Sequence, residues 1–161
     1  MPMYIYTIRL LKPHTNREGE KFNLLYTNPA EIPNVSDKLK YYRYQKSLFQ
    51  SDVAKQVGMD RGTYSGYEEN ARDYYPPEMM DKISALFEID VYELLDDYNR
   101  FLYDGQGQQI KAIRKQLQIT QKDLAIMMNV DLYKVKRWEQ DKVRMFKGTW
   151  EKLLKQCAQS H

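Results

Sequence analysis

The chain has 161 residues, 42% hydrophobic and 29% charged, with a formal net charge of +3 and one cysteine. That length suits one ordinary domain or two small ones, and that balance argues against disorder. No apolar run approaches the ~20 residues of a membrane span, the opening MPMYIYTIRLLKP lacks a secretory leader, and the lone Cys157 points to a reducing cytoplasm.

Residues 1–36 read as an N-terminal extension. Tyr4, Tyr6, Ile8 and Leu10 alternate with Ile5, Thr7, Arg9 and Leu11, and Phe22 to Tyr26 is a second strand-favouring run. A small hairpin and an extended arm lying on the first domain fit these runs equally well. A DNA minor-groove arm fits poorly, because Arg9, Lys12, Arg17 and Lys21 are scattered. Pro29 and Pro33 keep the approach to Asp37 non-helical.

A first domain is expected over 37–104. Its first helix runs from Ser36 or Asp37 to about Ser47. The stretch KSLFQSDVAKQVGMDRGTYSGY, 46–67, then gives two short helices joined by a turn at Gly58. Pro76-Pro77-Glu78 opens a fourth helix with Met79, Met80, Ile83, Leu86 and Phe87 inward. Asp90 caps a fifth, with Val91, Leu94, Leu95, Tyr98 and Leu102 at three- and four-residue spacing. Asp104-Gly105-Gln106-Gly107 reads as the linker to a second domain over 105–161.

That second domain has helices expected near 107–117, 121–128, 131–139 and 147–158, with no counterpart of the fifth helix before His161. In LQITQKDLAIMMNVDLYKVKRW, 117–138, Thr120 and Gln121 start a helix and Leu124, Ala125 and Met128 face inward. Asn129 turns the chain in the left-handed region, and Asp131 caps a second helix with Val135 and Trp138 inward. Cys157 shares a face with Trp150, Leu153 and Leu154, which reads as a buried, inert thiol.

The two helix-turn-helix stretches repeat at an offset of 71 residues, as from Gln50 to Gln121. The same offset takes Arg43 to Arg114, Asp52 to Asp123, Ala54 to Ala125, Gly58 to Asn129, Asp60 to Asp131, Tyr67 to Trp138 and Glu68 to Glu139. Hydrophobic, capping and charged positions all in phase indicate two copies of one unit. Their charges differ: 107–161 holds 12 Lys or Arg against 5 Asp or Glu, while 37–103 holds 9 against 13. Unequal charge points to unequal electrostatic roles.

On LFQSDVAKQVGMDRGTYSGYEEN and ITQKDLAIMMNVDLYKVKRWEQD, both copies resemble the five-helix DNA-binding domains of the lambda repressor, Cro and Xre class. The likeness covers roughly residues 37–161. It implies an all-α fold of two tandem domains and a cytoplasmic transcriptional regulator binding double-stranded DNA, with no cofactor, metal or catalysis. It also implies internal ion pairs, Arg43 with Glu68 and Arg114 with Glu139. By the family's register the base-facing residues are Leu132, Tyr133, Lys136 and Arg137 in the second copy and Arg61 and Ser65 in the first. Backbone-facing residues are Gln121, Lys134, Lys142, Arg144 and Lys147, and in the first copy Gln50, Thr63 and Tyr64. Gln50 and Gln121 are read equally well as local caps.

Arginine can bond a guanine edge bidentately, and Tyr133 or Leu132 can pack on a thymine methyl. Gly62 and Gly66 present no side chain to bases, which weakens sequence reading by the first copy. The acidic first domain suits docking of a protein partner, as an adaptor or antitoxin-like module, and a homodimer is a further alternative. Enzyme readings find no footing: His14 and His161 are the only histidines, GQG at 105–107 lacks the setting of a phosphate loop, and Glu93, Asp96 and Asp97 read as a solvated face.

Overall fold

Pro at a helix start, Asn or Asp at an N-cap and a left-handed residue at a C-terminus punctuate the chain into short helices. In the computed structural model, residues 13–69 and 72–159 are described, with side chains from Gly19 onward, and these residues form helices and no strand. They divide into two compact units, 1–96 and 97–161.

The first unit comprises α1 (Pro13–Leu25), a 3-10 turn (Pro29–Glu31), α2 (Val35–Gln45), α3 (Gln50–Val57), α4 (Arg61–Glu69), α5 (Pro77–Phe87) and α6 (Val91–Leu94). Asn34 caps α2 by accepting from the Asp37 N–H at 2.8 Å. Gly58 ends α3 at φ 71°, a conformation that glycine adopts without the strain a Cβ brings. Leu39, Val53, Tyr64, Ile83 and Leu94 are fully enclosed in its core.

The second unit comprises α7 (Asp97–Tyr103), α8 (Gln106–Gln116), α9 (Gln121–Met128), α10 (Leu132–Glu139) and α11 (Lys147–Gln159). Its core joins Ile110, Leu124, Met128, Val135, Trp138 and Leu153 to Tyr98 and Phe101 of α7.

Four expectations change. The Phe22–Leu25 run is helical: in α1, Phe22 packs 5.8 Å from Tyr44, and this tertiary contact overrides local strand preference. The other arm of the expected hairpin, with Arg9 and Lys12, lies outside the described residues, as does the Arg17 side chain. The expected fifth helix is two, because Leu95 is extended (φ −78°, ψ 139°); Leu94 and Leu95 are buried in the first unit and Tyr98 and Phe101 in the second. The expected linker is not one, since Gln106 is 4% exposed and makes three hydrogen bonds inside the second unit. Finally, Leu153 alone of the Cys157 face is buried; Cys157 is half-buried, with its thiol pushed up by that burial, and Leu154 is 42% exposed.

Candidate nucleic-acid interface

In the second unit Thr120 and Asp123 form a reciprocal cap on α9. The Asp123 N–H donates to Thr120 Oγ1 at 3.1 Å, and the Thr120 N–H donates to Asp123 Oδ2 at 2.9 Å. The Thr120 hydroxyl and N–H hold the Asp123 carboxyl below its usual range. Asn129 then takes φ 54°, and three residues later the chain re-enters a helix whose first turn is capped by Asp131, accepting from the Lys134 N–H at 2.8 Å. In the first unit Phe49 stands where Thr120 does, and only the half of the cap made by Asp52 forms, from the Phe49 N–H at 2.8 Å.

α10 sits with Val135, Trp138 and Glu139 buried. Its opposite face carries Leu132, Tyr133 (67% exposed) and Lys136 in solvent, with Arg137 half-buried beside them. The Arg137 guanidinium lies 5.5 Å from the Tyr133 ring centre, and Lys134 Nζ lies 5.7 Å from that of Trp138. Such contacts contribute about 0.5–1 kcal/mol at exposed sites. That is enough to bias a long side chain to one position and too little to withhold it from a ligand. Sequence reading placed Arg137 outward but missed its pairing with Tyr133, which the i, i+4 spacing could have signalled.

The segment after α10 is pinned from the start of the unit. Gln106 Nε2 donates to the carbonyls of Trp138 (3.2 Å) and Val143 (2.6 Å), while its Oε1 accepts from the Met145 N–H at 2.8 Å. The Tyr98 hydroxyl donates to the Met145 carbonyl at 2.6 Å, and the Gly107 N–H donates to Asp141 Oδ1 at 2.8 Å. A Cβ on Gly107 would stand 2.6 Å from the Glu139 carbonyl oxygen, so this approach requires glycine. The clamp fixes a stretch bearing Lys142 in solvent and Arg144 and Lys147 half-buried. Tyr98, Gln106 and Gly107 were missed because their sequence context reads as helix end and linker.

The two ion pairs are built alike. Arg114 donates through Nε to Glu139 Oε1 (2.7 Å) and through Nη2 to Oε2 (3.2 Å), and through Nη1 to the Ile119 carbonyl. Arg43 donates to Glu68 at 2.6 and 2.8 Å and to the Leu48 carbonyl at 3.0 Å. Burial raises the Glu139 carboxyl, but hydrogen bonds from Arg114 and Gln121, with the charges of Arg114 and Lys111, outweigh it and leave the group below its usual range. Gln121 Nε2 donates to Glu139 Oε2 at 2.7 Å, and Gln50 Nε2 to Glu68 Oε2 at 2.9 Å. Each glutamine is thus half-buried and engaged on a carboxylate.

The first unit presents less. Arg61, Gly62 and Thr63 are exposed, the Ser65 hydroxyl donates to Glu69 at 2.7 Å, and Gly66 is buried. Tyr64, expected at the DNA backbone, is instead 0% exposed, its ring forming part of the core beside the Arg43–Glu68 pair. Its position on α4 is one turn before Glu68 on the inner face, which periodicity could have shown.

Fold and site together define a helix-turn-helix protein. Among known proteins, the chain is similar to the HTH-type transcriptional regulator SinR of Bacillus subtilis (strain 168), 29% identical over 72 residues, and to SinR of Bacillus licheniformis, 28% identical over 72 residues. Each match takes in 45% of this chain and 65% of the relative, so the chain spans less than two thirds of the length of the curated relatives it matches. No family model matches the chain, and no solved structure matches it. No helix among the described residues is long and apolar enough to cross a membrane, and none of their His, Cys, Asp and Glu side chains group as a metal site would need.

Proposed function

We propose that this chain is a cytoplasmic, sequence-specific regulator of transcription of the Xre and Cro type, whose two units are copies of one ancestral domain and whose second unit is the main reading head on double-stranded DNA. The observation that carries the reading is α10. An enclosed Val135–Trp138 face supports an outer face of Leu132, Tyr133, Lys136 and Arg137 at the end of a rigid helix-turn-helix. In this mechanism Arg137 and Lys136 bond base edges, Tyr133 and Leu132 pack on a thymine methyl, and Lys134, Lys142, Arg144 and Lys147 neutralise phosphates. Gln121 and Gln50 lie at helix N-termini, where a phosphate is also favoured. Arg61, Thr63 and Ser65 give the first unit a smaller share, and its covalent join to the second at 96–97 raises its effective concentration at an adjoining half-site.

For the first unit a second reading is favoured by the net charge of 1–96, 12 basic against 15 acidic residues, and by Gly62 and Gly66: that half docks a protein partner. Fluorescence anisotropy of the full chain on duplex DNA, at several salt concentrations, tests both. Each phosphate contact adds about 0.9 to the log–log salt slope. Lys142→Ala should therefore lower the slope by about one contact, whereas Arg61→Ala should leave affinity nearly unchanged if the first unit docks protein. No salt-dependent binding at all would contradict the DNA reading and favour protein docking for the whole chain.

A further inference from the structure

The two units differ in what covers the face between α2 and α5 in the first and between α8 and α11 in the second. In the first unit, α6 lies against α2 and α5. The Tyr42 hydroxyl of α2 donates to Glu93 of α6, Tyr42 stacks on Phe87 of α5, and Ile83 and Phe87 are 0% and 2% exposed. Leu94 and Leu95 are sealed there, at 0% and 1%. Tyr42 has its counterpart in Ile113, whereas α5 and α11 begin 70 residues apart, at Pro77 and Lys147, and bury Ile83 and Leu153 alike, so that Ser84 and Phe87 have their counterparts in Leu154 and Cys157. In the second unit Ile113, Leu154 and Cys157, with Leu117 and Ala158, line an open groove of about 340 Å³ between α8 and α11; Leu154 is 42% exposed, Cys157 half-buried and Ala158 in solvent. Positions that are 5% and 2% exposed at Ser84 and Phe87 in the first unit are thus opened at Leu154 and Cys157 in the second.

The chain itself shows the chemistry that fills such a face. Residues 88–97, EIDVYELLDD, present Val91 and Leu94 at i and i+3 of a single helical turn and Leu95 at its C-cap, among five acidic residues and no basic one. The second unit, 97–161, carries 13 Lys or Arg against 7 Asp or Glu, so it attracts an acidic segment and repels a second copy of itself.

We propose that the groove between α8 and α11 is a docking site for a partner protein that presents a short acidic helix with leucine-type side chains at i, i+3 and i+4. This surface goes beyond DNA reading and does not rest on it. The partner's apolar residues occupy the space that Leu94 and Leu95 occupy in the first unit, against Ile113, Leu117 and Leu154, and its carboxylates face the basic unit. The mode is a helix laid in an apolar groove.

The test uses the full chain and a synthetic peptide of residues 88–97 with blocked ends. Short peptides are marginal helices alone, so binding is read by amide chemical shifts, which register weak complexes. The expected result is peptide-dependent shifts at Ile113, Leu117, Leu154 and Ala158, and slower alkylation of Cys157, by about tenfold when peptide stands at ten times its Kd. A peptide carrying Leu94→Asp and Leu95→Asp should produce neither effect. Leu154→Glu in the protein, at a site open enough to leave the fold intact, should weaken binding about ten- to a hundredfold, the value of one buried leucine. Absence of shifts at these amides up to the solubility limit overturns the proposal, as do shifts confined to residues 13–96. Shifts at the same amides on raising protein concentration without peptide also overturn it, in favour of a second copy as the occupant.

Discussion

Removing the arginine of the more buried ion pair should be among the most destabilising single substitutions in the chain. Glu68 has a side chain with no exposed area, and Arg43 one that is 6% exposed. In Arg43→Met the carboxylate loses donors at 2.6 and 2.8 Å and keeps the neutral donor of Gln50. Stranding a buried charge in this way costs about 3–5 kcal/mol, a large part of the about 5–15 kcal/mol that holds a domain folded. For a unit of this size each kcal/mol lowers Tm by about 4–8 °C, so the first unit should melt more than about 10 °C earlier. Arg43→Met with Glu68→Leu removes the stranded charge, and the half-buried Gln50 amide turns to water, so part of the loss should return. Arg114 is 18% exposed, so water can reach Glu139 in Arg114→Met and the same change there should cost less. The assay is urea denaturation of the four proteins of the cycle, with hydrogen exchange locating which unit opens. A coupling energy within about 0.5 kcal/mol of zero would show that the pair has no mutual energy and refute the reasoning.

Three further outcomes follow from the same contacts. Glu139 is held below its usual range in the folded chain, so its contribution is present above the unfolded pKa and is lost as pH falls through the folded one; urea midpoints measured from neutral pH to about pH 3 should drop in the wild type and drop less in Arg114→Met. Residues 97–161 should fold alone by circular dichroism, whereas 105–161 should not, because losing the buried Tyr98 and Phe101 costs about 3–5 kcal/mol each. Gln106→Leu leaves the Val143 carbonyl and the Met145 N–H without their partner, and should lower stability by about 1–3 kcal/mol in the same denaturation assay.

What the sequence made legible was whatever depends on local periodicity and capping. The turns at Gly58 and Asn129, the caps at Asp90, Thr120 and Asp131, and the enclosed Val135 and Trp138 could be read because a helix end has a small chemical vocabulary. Ends of units were harder to read. A glycine pair at 105–107 has the composition of a linker, but Gly107 is there for a close backbone approach to Glu139 and Gln106 for its amide. Leu95 and Tyr98 share one apolar stripe although they serve two cores, and periodicity carries no record of which core a residue joins. Phe22 illustrates the same limit: a tertiary contact with Tyr44 sets its conformation. In the candidate interface the outward face of α10 was legible, whereas the segment after it owes its position to hydrogen bonds from residues more than thirty positions earlier.

The central claim is that α10 reads base sequence, and selection of bound duplexes from a random pool, run in parallel with the full wild-type chain and Arg137→Ala, tests it most directly. The account predicts that the wild type enriches a defined motif and that Arg137→Ala loses preference at one or two of its positions, with affinity for the wild-type site lower by about 1–3 kcal/mol. An identical motif with unchanged affinity in Arg137→Ala, or no enriched motif for the wild type, would contradict it.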